Sequence, residues 1–191
     1  MPKYDSLLLN CGGGIINRSQ QSKQYRGAAA LAIGIGGTGV AALAELKQKV
    51  YQQLEPDNPD SPVPEYQHIQ FLAIDSDTTD IDRMRGMARL DREREFFSIN
   101  NPNLATALRE KDLIKCNASL NWMDIDRIGD LMLLGNLPVC PIRQVGRYLL
   151  ISRASNLIST IQAKCTQALE GMTGSELDVY IFAGLSGGTG G

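Results

Sequence analysis

Ala29-Ala30-Leu31-Ala32-Ile33-Gly34-Ile35-Gly36-Gly37-Thr38-Gly39 is the stretch whose reading decides the fold. Ala29 to Ile33 reads as a buried strand. The glycines after it let backbone N–H groups turn inward with no Cβ in the way, which makes an anion cradle. Past Gly39, Leu43, Leu46, Val50 and Leu54 recur at helical spacing, so a helix is expected to end before Pro56. Pro56, Pro59, Pro62 and Pro64 mark an extended connection. Ile69-Gln70-Phe71-Leu72-Ala73-Ile74 then reads as a second buried strand, closed by Asp75-Ser76-Asp77. Strand, helix, strand in this order points to a parallel sheet with a right-handed crossover.

The same arrangement returns at the far end. A strand over Asp178 to Ala183 feeds Ser186-Gly187-Gly188-Thr189-Gly190-Gly191. One glycine turn is weak support for a ligand site, but two on neighbouring strands could hold a polyphosphate between them. That reading requires the tips of the first and last strands to converge, so that Thr38 and Thr189 reach the same ligand.

Between the two turns, Arg83 to Arg94 is charge-rich, Phe96 to Ile99 reads as a short strand, and Leu104 to Ile114 reads as a helix. Asn117 to Leu137 has no clear period. From Val145 to Met172 one long helix is expected. Its apolar stripe is Leu150, Ala154, Leu157, Ile158, Ile161, Cys165, Ala168, Leu169 and Met172. Residues 1–28 read as a loose polar leader and residues 29–191 as an α/β, three-layer Rossmann-like domain with a parallel sheet.

The totals bound the function. The chain has 191 residues, enough for one α/β domain with a real core. Apolar residues at 43% and charged residues at 21% are ordinary globular values. A formal net charge of −2 gives no global electrostatic case for nucleic acid or an anionic membrane. No apolar run approaches the ~18–20 residues of a membrane-spanning helix. Cys11, Cys116, Cys140 and Cys165 show no paired spacing, and with the single His68 they favour neither a zinc site nor a disulfide framework. Reduced thiols and a cytoplasmic location fit best.

Taken alone, Gly34, Gly36 and Gly39 satisfy the G-x-G-x-x-G pattern between a strand and a helix. The helix N-terminus adds about half a positive charge and free donors. Asp75 stands where a dinucleotide fold keeps its ribose-binding acid, though further along the chain than the usual ~20 residues. An NAD or FAD domain and a tight turn with no ligand both remain open at this point.

The second turn adds a resemblance. Phe182-Ala183-Gly184-Leu185-Ser186-Gly187-Gly188-Thr189-Gly190 resembles the glycine-rich GGGTG(S/T)G signature of the tubulin/FtsZ superfamily. Gly36-Gly37-Thr38-Gly39 corresponds to that family's first phosphate-contacting loop. Phe71-Leu72-Ala73-Ile74-Asp75-Ser76-Asp77 looks like its FIAANTD segment, with Asp75 replacing the Asn and Asp77 on the Asp. Gln144-Val145-Gly146-Arg147 resembles the EVGR that opens the helix after the third loop. The set is most similar to the divergent bacterial tubulin-like group.

The resemblance implies a GTP (or GDP) site, with Mg²⁺, at the C-terminal edges of parallel strands, in a protein that self-associates into filaments. Amides of Gly187, Gly188 and Gly190 and the hydroxyls of Ser186 and Thr189 would wrap the β-phosphate. Gly36, Gly37, Thr38 and Gly39 would hold the α and β phosphates, and Asp75, Ser76 and Asp77 would lie near the terminal phosphate or its metal. Backbone donors from two loops can neutralise a triphosphate without a P-loop lysine. There are departures: Ala41 replaces an Asn that contacts sugar or base, and Gly191 stands where the signature has Ser or Thr. Val139 to Arg143 lacks the third loop's glycines, with Arg143 and Arg147 available to supply charge. The family's remaining helices and second domain lie beyond Gly191, and hydrolysis there needs acidic residues from the next subunit's second domain. The chain is therefore expected to be the N-terminal part of a nucleotide-binding domain, incomplete at the C-terminus. The intact protein would be a GTPase on self-assembly, and this part alone a weak binder that does not hydrolyse.

Other readings compete with these. A G-x-G-G-x-G turn before a strand ending D-x-D also resembles the ATP site of ubiquitin-activating-type adenylating enzymes. The Asn-Arg-Gln segment and cysteine pairs of that group are missing. Asp75, Asp77, Asp80 and Asp82 lack the glycine and glutamate of a calcium loop. Arginines alternating with acids over 83–94 read as a solvated face, His68 as a surface histidine and Trp122 as core.

Overall fold

The computed structural model describes residues 29–54, 67–86, 89–101, 104, 122–124, 126, 128, 142–172 and 176–190. Strand β1 (Ala29–Ile35) runs directly into helix α1 (Gly36–Leu54), followed by β2 (Ile69–Asp75), a short helix α2 (Thr79–Arg83) and β3 (Phe96–Ser98). Helices α3 (Arg143–Ser152) and α4 (Ala154–Leu169) then lead to β4 (Leu177–Ala183). The sheet order is β3-β2-β1-β4, with every pair parallel. This is the expected α/β architecture. β1 pairs with β2 on one side and β4 on the other, and it is apolar throughout because helices cover both faces.

The pleat sorts the strands between two layers. Leu31, Ile33, Leu72 and Ile74 pack with Val145, Leu149, Leu157 and Ile161 of α3 and α4. Ala32, Phe71 and Ala73 pack on the other face with Val40, Leu43, Leu46 and Val50 of α1, joined by Tyr180 and Phe182. Lys47 is buried on α1, with its Nζ 2.6 Å from both the Glu95 carboxylate and the Arg89 carbonyl. It ties α1 to the segment that enters β3.

Three expectations need correction. The first helix begins at Gly36, not past Gly39, so Gly36 to Gly39 form its first turn. The expected long helix is two, α3 and α4. At the junction Ser152 Oγ donates to the Leu149 carbonyl at 2.8 Å. The Arg153 N–H is shared between the Leu149 and Leu150 carbonyls, and the Arg153 guanidinium donates to the Asn100 carbonyl at 3.1 Å. Ile158, expected in the stripe, lies off the core and is 55% exposed. His68 is half-buried, its Nδ1 2.8 Å from the Ala168 carbonyl, so it ties the turn before β2 to α4. The leader, the proline-rich connection, most of Leu104 to Ile114 and the residues Val139 to Pro141 lie outside the described residues; Leu104 is buried.

Glycine permits the contacts that bring three elements together at the C-terminal edge of the sheet. A Cβ on Gly39 would lie 2.3 Å from the Phe182 carbonyl oxygen, and one on Gly146 would lie 2.0 Å from that of Gly188. One on Gly184 would lie 2.8 Å from Thr38 Cβ. Thus α1 and α3 each rest backbone to backbone on the end of β4 or the turn beyond it. A methyl group at Gly146 must displace main chain, so Gly146→Ala is expected to cost about 1–3 kcal/mol or more. Gly37→Ala, with nothing nearer than 4.0 Å, should stay within about 0.5 kcal/mol. Urea denaturation of the two variants checks the contrast.

Candidate nucleotide site

The turns after β1, β2 and β4 meet at one hollow. Gly36 adopts a left-handed backbone (φ 70°), and its position faces the last turn: a Cβ there would sit 3.3 Å from Gly190 N and 3.5 Å from Thr189 Cβ. Thr38 packs on Gly184. Thr38 and Thr189 therefore lie on adjoining turns of neighbouring strands, as the two-turn reading requires.

Two helices begin at this hollow. The N-terminus of α1 abuts Thr189 and Gly190, and α3 places Gly146 against Gly188. Neither helix has an acidic residue in its first turn, and no side chain caps α3. Both positive helix ends thus lie close to one place, an arrangement that favours an anion. Arg143 adds charge at the rim, where its guanidinium donates to the Leu185 carbonyl at 2.9 Å. Arg147 is engaged elsewhere: its guanidinium lies 4.4 Å from the ring centre of Trp122, which itself packs against the core.

The glycines divide by surroundings. Gly36, Gly39 and Gly188 are buried where backbones meet, whereas Gly37 and Gly187 are exposed. A Cβ on Gly37 would meet only Asp80 Oδ2 at 4.0 Å, and one on Gly187 only the Gly184 carbonyl at 3.6 Å. The Gly187 N–H bonds to that same Gly184 carbonyl at 3.2 Å, closing the last turn on itself. Ser186 is exposed beside it, but Thr189 is only 8% exposed.

The acids at the end of β2 differ in character. Asp75 is buried, and its Oδ1 accepts from the Ser76 N–H at 2.7 Å and from Thr189 Oγ1 at 3.4 Å. Burial raises its carboxyl above the ordinary 3.8, against hydrogen bonds from the Ser76 and Asp77 amides and from Thr189. Asp77 is exposed and held below the usual range, chiefly by the Thr79 hydroxyl at 2.6 Å and also by the Thr79 N–H at 2.8 Å. It stays ionised at neutral pH. Asp80, one residue into α2, brings a further carboxylate beside Gly37, a role the sequence did not suggest when Asp80 was weighed as part of a calcium loop. Its signal was the Asp77–Thr79 turn, which starts a helix whose second residue is Asp80.

A family model described as tubulin-like matches residues 31–191. The chain belongs to the tubulin-like family. The match covers β1 to the last turn, so the hollow between those turns is part of the tubulin-like region. Neither the curated proteins nor the solved structures give a match. No described helix is long and apolar enough to cross a membrane, and the described residues hold no His/Cys/Asp/Glu cluster suited to a metal ion.

The raised Asp75 carboxyl gives a pH dependence of fixed sign. Its contribution to folding is full below 3.8 and is lost as pH rises through its folded value. Asp75→Asn keeps the shape and carries no charge to desolvate. The stability of Asp75→Asn relative to wild type is therefore expected to increase with pH across that window. Thermal denaturation of both proteins from acid to neutral pH measures it, and a flat difference would refute the assignment.

Proposed function

We propose that this tubulin-like chain is a GTP-binding module of a filament-forming protein. The carrying observation is the meeting of the turns after β1 and β4 beside Gly36, where two helix N-termini open onto one hollow. A triphosphate fits this place chemically, since it needs many short donors and the hollow supplies main-chain N–H groups from two turns. In this reading the exposed rim, Gly37, Thr38, Ser186 and Gly187, touches the phosphates. Arg143 neutralises charge at the edge. Gly36, Gly39, Gly188 and Gly190 let the backbones approach closely enough to shape the cradle.

Mg²⁺ would supply charge neutralisation at the terminal phosphate. The ionised, exposed carboxylate of Asp77 suits a hard cation that keeps most of its waters and shares phosphate oxygens. The adenylating-enzyme and NAD readings account for the first turn but give no role to Ser186–Gly190. The family match supports guanine nucleotide over both.

Titration with fluorescent GTP, ATP and NAD ranks the three, with GTP expected to bind most tightly. Gly37→Trp places an indole in the hollow at a position with open space and ordinary backbone angles. It should reduce GTP affinity by at least about 100-fold while circular dichroism stays unchanged, consistent with loss of a well-shaped polar site. Equal binding of all three nucleotides, or no effect of the indole, would remove the proposal.

Filament formation has its own test. A protein carrying this module together with the family's second domain is expected to sediment with GTP and Mg²⁺ and to stay in solution with GDP. Sedimentation that ignores the nucleotide would separate assembly from this site.

A further inference from the structure

The hydroxyl of Thr189 does not face the open rim with Ser186 and Gly187. It lies in the interior, 3.4 Å from Asp75 Oδ1, and both residues are more than nine-tenths buried. β2 and β4 are not neighbours, because β1 lies between them in the sheet. No ladder hydrogen bond can therefore join the turn after β4 to the end of β2, and this side-chain contact spans the gap over the end of β1. It does so at Gly36, whose left-handed turn lies against Thr189 and Gly190.

We propose that Asp75 and Thr189 form a buried latch, a pair of positioning residues that fixes the shape of the last glycine turn without touching the nucleotide. The latch is built on the Asp75 side from the backbone outward. The Ser76 N–H holds Oδ1 at 2.7 Å, so the carboxylate is oriented before Thr189 reaches it. On the other side, the Gly187–Gly184 hydrogen bond closes the turn locally but does not anchor it to the sheet. Thr189 supplies that anchor, and Gly190 next to it rests on the Ile35 carbonyl, 3.0 Å from where its Cβ would be. At 3.4 Å the contact is long for an O–H···O bond.

The affinity arm of the test rests on the function proposed above, and a second arm does not. In fluorescent GTP titrations Thr189→Val, which keeps the shape and removes the hydroxyl, is expected to bind about 10-fold more weakly, the scale of one lost hydrogen bond. Thr189→Ser, which keeps the hydroxyl, should stay within about 2-fold. In an Asp75→Ala background Thr189→Val should add no further loss, because the two residues act through one contact. Without nucleotide, hydrogen exchange over residues 184–190 should quicken in Thr189→Val and in Asp75→Ala but not in Thr189→Ser. If Thr189→Ser behaves like Thr189→Val in both measurements, or if the two losses multiply, the latch is overturned. If the wild type binds no nucleotide, the function proposed above fails, and the exchange data alone decide the latch.

Discussion

The carbonyl of Gly188 occupies the space that a side chain on Gly146 would need, and the carbonyl of Phe182 does the same for Gly39. Everything at the functional edge depends on this absence of side chains. A helix resting on a strand through ordinary residues stands about 10 Å off. Here α1 and α3 touch the backbone at the end of β4 and the turn beyond it, which places their N-termini close to the same point. The field that makes the hollow attractive to an anion follows from that proximity, since a helix dipole acts within about a turn of its end.

Much of the architecture was legible in the chain. β1, β2 and β4 read as apolar runs, and the first two are continuous because a parallel strand covered on both faces has no polar side. Even β3 announced itself through Phe96 and Phe97. The start of α1 was not legible, because Gly36, Gly37 and Gly39 are poor helix formers. Tertiary contact with Phe182 and Thr189 overrides that preference. The division between α3 and α4 was also hidden: the apolar stripe continues through it, and Arg153 at the break bonds the carbonyl of Asn100, far away in sequence.

The site residues were legible by type but not by role. The glycines were read as one cradle, yet the structure separates those that pack from those that face solvent. Thr189 was expected among the outward hydroxyls, but its direction depends on where β2 lies relative to β4. No local pattern encodes that relation. Arg147 was grouped with Arg143 through the family resemblance at the helix start, and its partner Trp122 sits in a stretch with no periodicity to place it. Asp80 was weighed only as part of a calcium loop, since it becomes a neighbour of Gly37 only once β1 and β2 are paired.

The sheet order also separates near contacts from distant ones. β1 lies between β2, the next strand along the chain, and β4, the last described one. The Thr189–Asp75 contact closes a span of 114 positions, and contacts of such long separation form slowly. The turns meet only when β4 is docked beside β1, so an anion held between them would favour the docked strand.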